Sequence, residues 1–487
     1  MKINQYILII ISGLLYTSAF SPIDFKAGIF FSLSILYFVL LSCERKQSII
    51  LSFIYGITIF TSGVSWVFFS VYYYGGGSLI IALLITMILV IFLSLIITPL
   101  GLVINKNYKD QSFVTLLIIP SIWVLLEIFR SIIFGGFPWL IAGYSQEGTI
   151  FNVIYPITGS YSVSFVICTI SLIIALLLRE KLSTSNIKNV FIMTICFTFL
   201  YFYSPTWSID KEDFMKVSIL QPNINIGTKY DDEKISLIKQ KYINLISENS
   251  INKTIILPET AIPLIYERDK SFYQSMRSSE DINIISGVFH KNTDKNKIYN
   301  SIVVLNEDEQ IYDKRHLVPF GEYTPIKIIF DYLSKKLNIP MSNLSHGDLK
   351  QKAFVVDNII MHPLICYEIA YPQLINMGND YSLIINVSND AWFGDTFAPH
   401  QHLQIARLRA LEAAHPVIRA ANTGISAIIN KNGLAVKNIS LNTEGIINGE
   451  VYPSKGISPY MRFGDYPILM LIFSIMLVYC RSYRKYD

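Results

Sequence analysis

The chain has 487 residues, of which 52% are hydrophobic and only 16% charged. With a mean hydropathy of +0.42, it is too apolar for an ordinary soluble protein of this length. A net charge of +4 is too small to point to nucleic acid, and the length allows two domains.

The apolar residues are unevenly spread. Residues 1 to about 204 form long apolar runs with short polar breaks, about 210 to 458 read as a soluble domain, and 466–480 are apolar again. Seven predicted spans fit the first part: 5–22, 27–43, 49–72, 78–104, 112–133, 150–178 and 189–204. An eighth, 466–480, closes the chain, and each is near the roughly 20 residues needed to cross a hydrocarbon core. A helix apolar on all sides could be a buried core helix, but seven in succession favour a membrane. Lys2, Arg45, Lys46, Lys106, Lys109, Arg179, Lys181, Lys188, Arg481, Arg484 and Lys485 fall on one side if the spans alternate. Only Lys26 and Arg130 fall opposite, so the basic side is expected to be cytoplasmic. This predicts a multi-pass membrane protein with its soluble domain outside the cytoplasm. The expected division is a membrane domain over 1–208, a soluble domain over 209–462, and a final span with a short cytoplasmic tail over 463–487.

The first span lacks a small-x-small cleavage pattern before Ser21-Pro22, so it reads as retained rather than as a signal peptide. Leu40-Leu41-Ser42-Cys43 looks like a lipoprotein processing site but lies too deep in the chain. The loop 134–149 is rich in Gly and aromatics and uncharged except for Glu147. Trp and Tyr favour the headgroup level, so it reads as an interfacial connector or as a re-entrant loop that helps hold lipid.

In the polar part, strand-like runs recur at Val217–Gln221, Thr254–Leu257, Ile282–Val288, Ser301–Leu305, Ile359–Cys366 and Tyr381–Val387. Between them, Asp231–Ser247 has apolar residues at Ile235, Ile238, Tyr242 and Leu245, a helical period. His400–Ala414 reads as a second helix, stopped by Pro416. Strands alternating with helices predict a layered α/β domain. The Asn-rich stretch 291–300 reads as an exposed loop.

Three residues of this domain carry the parts of a covalent acyl-transfer site. Cys366 is its only cysteine; Cys43, Cys168, Cys196 and Cys480 all lie in apolar stretches. An unpaired thiol facing an oxidising compartment is a liability unless it does chemistry. Glu259 follows a strand-like run and suits a general base. Lys314 could stabilise a thiolate and the oxyanion formed when it attacks a carbonyl. Glu322 follows eight residues later, after a Pro and a Gly that can fold the loop back. Cys366 and Glu368 share a face if strand geometry persists past Cys366. Singly, each signal has a plain structural reading: a turn glutamate, a solvated charged hairpin, a buried core cysteine.

Taken in order, with their local contexts, these residues resemble the Glu–Lys–Cys set of the nitrilase (carbon–nitrogen hydrolase) superfamily. PETAIP (258–263), KRHLVPFGEY (314–323), ICYE (365–368) and SNDAWFG (388–394), with GFPWL (136–140) upstream, make the chain similar to the apolipoprotein N-acyltransferase family over essentially its whole length. The resemblance implies a nitrilase-like αββα sandwich inserted into a polytopic all-α membrane domain of about eight transmembrane helices. It implies Glu259 as base, Lys314 as charge stabiliser and Cys366 as acyl-carrying nucleophile. Glu322, Tyr367, Glu368, Trp392 and Tyr230 are implied as supporting or substrate-binding residues. It further implies no metal, no cofactor and no nucleic acid; a phospholipid donor, a diacylglyceryl apolipoprotein acceptor and a monomeric enzyme. Leu257 stands where the family often has Trp two before the base, and Tyr230 where it often has Trp.

Three other readings compete with this one. A metal site at His400-Gln401-His402 fails because residues two apart on a helix do not face one another. A transporter would use intramembrane charges, for which Glu127 and Arg130 are the candidates, and an ion pair explains them as well. A tethered nitrilase-type amidase would share the triad but need no lipid-facing loop.

Overall fold

The computed structural model describes every residue except 1, 75–77, 107, 109–112, 180–183, 250–251, 278–281, 320, 324–343, 377–379 and 484–487. Lys109, Lys181, Arg484 and Lys485, used in the orientation argument, lie outside the described residues. The chain divides into two units: Met1–Ser65 with Leu83–Thr206 and Phe463–Asp487, and Trp66–Ala82 with Trp207–Arg462.

The first unit is helical. Its main helices are Lys2–Ser18, Gly28–Leu40, Arg45–Val64, Leu79–Ile97, Phe113–Arg130, Tyr155–Leu178, Thr184–Phe202 and Tyr466–Tyr483. Arg45–Val64, Leu79–Val103 and Tyr155–Leu178 are long and apolar enough to cross a bilayer. Apolar side chains such as Ile80, Ile88 and Phe191 stay more than 60% exposed on these helices, as on a lipid-facing surface.

The loop 134–149 departs from the sequence expectation. Trp139 and Tyr144 are each 1% exposed, so they are packed inside rather than displayed as interfacial aromatics. The reason is backbone satisfaction. A non-helical segment within a helical bundle must find partners for its own N–H and C=O groups. The Leu140 carbonyl accepts from Tyr16 Oη at 2.9 Å and Arg130 Nη2 at 3.3 Å. The Ala142 N–H donates to Glu127 Oε1 at 2.7 Å, and the Gly143 N–H to Ser164 Oγ at 2.8 Å. Glu127 and Arg130 therefore hold this loop.

The predicted span 49–72 also differs: its helix ends at Val64. Trp66–Phe69 and the π-helical turn Ser70–Tyr74 follow, and they pack with the second unit.

The second unit is a two-sheet sandwich. One sheet runs, in spatial order, Gly445–Val451, Met215–Gln221, Thr254–Ile256, Asn283–Asn292, Lys297–Leu305, Gln310–Asp313. The other runs Ala435–Ile439, Ser426–Ile429, Val417–Ala421, Leu383–Ser388, Ile359–Ile365, Phe354–Val356. Val217, Ile219, Ile285 and Ile302 of the first sheet meet Met361, Ile365, Ile385 and Ile418 of the second in one dry core. Ile238, Tyr242 and Leu245 of the helix Ile235–Asn249 cover the outer face of the first sheet. Their 3.6-residue spacing is the period seen in the sequence.

The stretch 291–300 is not an exposed loop. Asn283–Asn292 and Lys297–Leu305 are antiparallel, with Asn292 opposite Lys297, so only 293–296 turn. Lysines and asparagines on the solvent side of this hairpin hide its alternation. They also hide Asn300, which is 3% exposed.

Candidate active site

Glu259 comes first in the chain. Thr254–Ile256 lies between parallel neighbours, and Glu259 sits three residues past its carboxyl end. Outside the carboxyl ends of parallel strands is where α/β sheets place ligands. The turn is possible because residue 287 is glycine. A Cβ there would lie 2.4 Å from Glu259 Cα and 2.6 Å from Thr260 N. The turn is fixed by Gly287 N–H to Pro258 O at 3.2 Å and Ala261 N–H to Gly287 O at 2.8 Å. The buried Lys229 ammonium donates to the Glu259 carbonyl at 3.0 Å. Asn300 Nδ2 donates to Glu259 Oε1 at 2.7 Å, and the carboxylate is 6% exposed.

Lys314 follows the strand Gln310–Asp313. Its N–H bonds Asn300 O at 2.8 Å, and its carbonyl accepts from Gly347 N–H at 2.8 Å. The ammonium is 1% exposed and lies 2.8 Å from Glu322 Oε2, 2.9 Å from Glu322 Oε1 and 3.6 Å from Glu259 Oε1. Asn300 Nδ2 reaches Glu322 Oε1 at 2.7 Å as well, so one amide bridges both carboxylates. Burial pushes the ammonium down, but Glu322 and then Glu259 outweigh it and hold Lys314 well above the usual lysine range. It is a fixed cation. Glu322 is in turn held by the Val318 N–H at 2.8 Å, so the Pro319 and Gly321 region does fold the loop back.

Cys366 sits at an elbow. The strand Ile359–Ile365 ends one residue before Cys366, which takes the left-handed backbone (φ 47°) and starts a 3₁₀ turn over Cys366–Ala370. Strand geometry therefore does not persist, and Cys366 and Glu368 do not share a strand face. Glu368 has another task. Its Oε1 accepts from the N–H groups of Arg315 (2.7 Å) and His316 (3.0 Å), and its Oε2 from Ile365 N–H (2.8 Å), while Tyr312 Oη bonds both oxygens. This fully buried carboxylate ties the Lys314 loop to the Cys366 elbow. Burial, then Glu259, pushes the Cys366 thiol far above its usual range, and Lys314 opposes them. The resting group is a thiol within electrostatic reach of both the base and the cation.

The outer residues form a wall. Tyr230, 45% exposed, meets Trp392 at 6.0 Å between ring centroids. The turn Asp390–Phe393 is braced from the segment after the third helix: Ser70 Oγ donates to Trp392 O at 2.8 Å, and Trp66 meets Phe393 edge-on at 4.8 Å. Tyr367 packs at 5.1 Å against Tyr371, next to the nucleophile.

The structure thus gathers Glu259, Lys314, Cys366 and Glu368, all buried, and the part-buried Glu322 in one cluster, with Tyr367 beside it and Tyr230 and Trp392 facing each other. Asn300 and Lys229 were missed. Lys229 adjoins Tyr230 in the singled-out Lys229-Tyr230-Asp231, so that stretch offered a signal; Asn300 stood in a stretch read as loop.

With this geometry in view, the comparisons fix the class. Residues 216–457 match the carbon–nitrogen hydrolase family, which accounts for the α/β sandwich and its buried thiol. Residues 12–173 match the apolipoprotein N-acyltransferase N-terminal domain. The apolipoprotein N-acyltransferase of Pasteurella multocida is 34% identical over 99% of this chain and 96% of its own length. That of Coxiella burnetii is 33% identical over 97% of this chain and 99% of its own. The chain belongs to the apolipoprotein N-acyltransferase family.

Proposed function

We propose that this enzyme moves a fatty acyl chain from a membrane phospholipid, through a thioester on Cys366, to the α-amine of the diacylglyceryl-cysteine of an apolipoprotein. The observation that carries the reading is the buried Lys314 ammonium, held 2.8 Å from Glu322 and 3.6 Å from Glu259 beside a thiol at a left-handed elbow.

The buried thiol is protonated at rest, so it needs a base at the moment of attack. Glu259 takes the Sγ proton as sulfur bonds to the ester carbonyl carbon. Negative charge develops on the carbonyl oxygen, where Lys314 stabilises it without having to move. The tetrahedral species collapses, the ester C–O bond breaks, and Glu259 returns the proton to the departing lysophospholipid oxygen. In the second half the acceptor amine attacks the thioester and Glu259 takes its proton. The C–S bond then breaks, the amide is complete, and the proton returns to sulfur. Glu322 keeps Lys314 charged and fixed; Glu368 keeps the Lys314 loop against the elbow; Tyr230, Trp392 and Tyr367 line the approach for the chains. Leu257 is buried at 0% exposure, which supports a packing role for that position.

Two lipid-anchored substrates call for a site at a membrane surface. This supports spans over 1–208 and 463–487 bracketing a periplasmic catalytic domain over 209–462, in the cell inner membrane. The enzyme acts as a monomer without metal or cofactor.

The test is intact-mass and peptide mass spectrometry of the purified protein after incubation with phospholipid. An acyl adduct is expected on the Cys366 peptide, absent in Cys366→Ser, and discharged by a diacylglyceryl-cysteine peptide. An adduct elsewhere, or transfer by Cys366→Ser at the parent rate, overturns the proposal.

A further inference from the structure

Behind the elbow lies a buried polar network that none of the steps above uses. Asn386 and Ser388 come from the strand Leu383–Ser388, Asp390 from the turn after it, His402 from the helix Ala398–Ala413 and Arg419 from the strand Val417–Ala421. All five are at most 1% exposed. Arg419 Nη2 donates to Asp390 Oδ2 at 2.5 Å, and Arg419 Nη1 donates to Asn386 Oδ1. Ser388 Oγ donates to Asp390 Oδ1 at 2.7 Å. The network reaches the backbone at the elbow: His402 Nε2 lies 3.2 Å from the Cys366 carbonyl oxygen, and Asn386 Nδ2 is shared between that oxygen at 3.4 Å and the Leu364 carbonyl oxygen at 3.2 Å.

The tautomer of His402 follows from its neighbours. Burial, then Arg419, holds the ring below the usual histidine range, so it is neutral and carries one N–H. Nδ1 faces Arg419 Nη2 at 3.1 Å and Asp390 Oδ1 at 3.0 Å. Placing the hydrogen on Nδ1 would set the Nε2 lone pair against the carbonyl oxygen of Cys366. Placing it on Nε2 lets the ring donate there while Nδ1 accepts from Arg419; Nδ1 then faces Asp390 Oδ1, a contact eased because the Arg419 guanidinium donates to both Nδ1 and the Asp390 carboxylate and Ser388 donates to that same oxygen.

The consequence lies in the next peptide. A trans peptide is planar, and its C=O and N–H point in opposite directions. Gripping the Cys366 carbonyl from inside the protein turns the N–H of Tyr367 the other way, out of that network. We propose that His402, held by Asp390 and Arg419, is a positioning residue for acyl transfer: with Asn386 it fixes the peptide after Cys366, so that the Tyr367 N–H meets the oxyanion opposite Lys314. This rests on the reading of Cys366 as the acyl-carrying nucleophile.

The test separates acylation, which builds an oxyanion, from alkylation, which does not. Full-length enzyme in detergent micelles is acylated with a fluorescent phospholipid, and in parallel alkylated with iodoacetamide. Both are followed on the Cys366 peptide by mass spectrometry. For His402→Ala, acylation is expected to fall about 10²-fold, the loss typical of one misplaced oxyanion donor, while KM for phospholipid and the alkylation rate stay at parent values. His402→Gln, whose amide can still donate to the Cys366 carbonyl, is expected to recover most of the acylation. If His402→Ala does not fold, His402→Asn, too short to reach that carbonyl, must show the same split. Acylation at the parent rate in these variants, or equal losses of acylation and alkylation, overturns the inference. Absence of any acyl adduct on the parent Cys366 instead overturns the reading of the site.

Discussion

Replacing Lys314 by Met removes the cation shared by two buried carboxylates. The ammonium lies 2.8 Å from Glu322 and 3.6 Å from Glu259, at 1% exposure, and Asn300 also bonds both carboxylates. Breaking a buried pair from one side leaves uncompensated charge, which costs about 3–5 kcal/mol. The variant is expected to fold, but with its stability at pH 8 reduced by that amount. The pH dependence has a definite sign. Two carboxylates sharing a site without a cation favour uptake of one proton. The folded variant therefore holds a proton more tightly than its unfolded chain, whose glutamates titrate near pH ~4.3. That contribution is full at low pH and lost as pH rises through the raised folded value, so the deficit shrinks on acidification. The parent has no matching dependence from this amine, because Glu322 and Glu259 hold Lys314 well above the range tested. Melting of both proteins in detergent from pH 8 to pH 5, followed by tryptophan fluorescence, measures the effect. Equal stability at pH 8, or a deficit of constant size over the range, would refute the argument that one cation neutralises both carboxylates. Acyl-enzyme formation by the variant is expected to be lost at every pH.

Other expectations follow from the same geometry. Gly287→Ala pushes a methyl group to 2.4 Å from Glu259 Cα, so it should cost about 1–3 kcal/mol by overpacking and slow acylation more than it weakens phospholipid binding, read as kcat against KM. Glu368→Gln sets an amide NH₂ against donors that now meet carboxylate oxygens. It should destabilise the protein by about 1–3 kcal/mol and reduce both acylation and iodoacetamide labelling of Cys366, because the elbow itself shifts. Lys229 is buried, and burial brings its ammonium down to about 8 while Glu259 pulls the other way. The folded value lies below the unfolded one, so the penalty of keeping it charged is full below pH ~8 and vanishes as pH rises toward ~10.4. Lys229→Met should thus raise the melting temperature at pH 7, with the gain fading above pH ~8, yet lower activity by freeing the Glu259 peptide.

The sequence was most readable where local rules and packing agreed. The strands Met215–Gln221 and Ile359–Ile365 are apolar runs buried on both faces, and the helix Ile235–Asn249 shows its core stripe at Ile238, Tyr242 and Leu245. Glu259, Lys314 and Cys366 could be singled out because each follows a strand, and the structure places them near one another. What escaped had a physical cause in each case. Asn300 lies close to the polar turn of its hairpin, in a stretch rich in Lys and Asn, so composition suggested a loop. Glu368 was placed beside Cys366 by strand alternation, but the positive φ at Cys366 ends the strand there. The ends of the third helix and the loop 134–149 could not be read from hydropathy. Trp66 and Trp139 are equally apolar whether they face lipid or protein, and only their partners, Phe393 and the helical bundle, decide. His402 was dismissed as a metal ligand, and no local pattern announces that a helical histidine will cap a carbonyl 36 residues away.

The brace from Ser70 and Trp66 onto the Trp392 turn changes what counts as the smallest working piece of this enzyme. A protein cut to residues 207–462 would keep both sheets of the sandwich, Glu259, Lys314 and Cys366, yet lose the two contacts that steady the Trp392 turn. Part of the reaction chamber is encoded some 140 residues before the first strand of the sandwich. Excision, domain grafting or recombination between relatives at the apparent boundary near residue 207 would separate two halves of one wall. A transplantable unit has to carry Trp66–Ala82 with it.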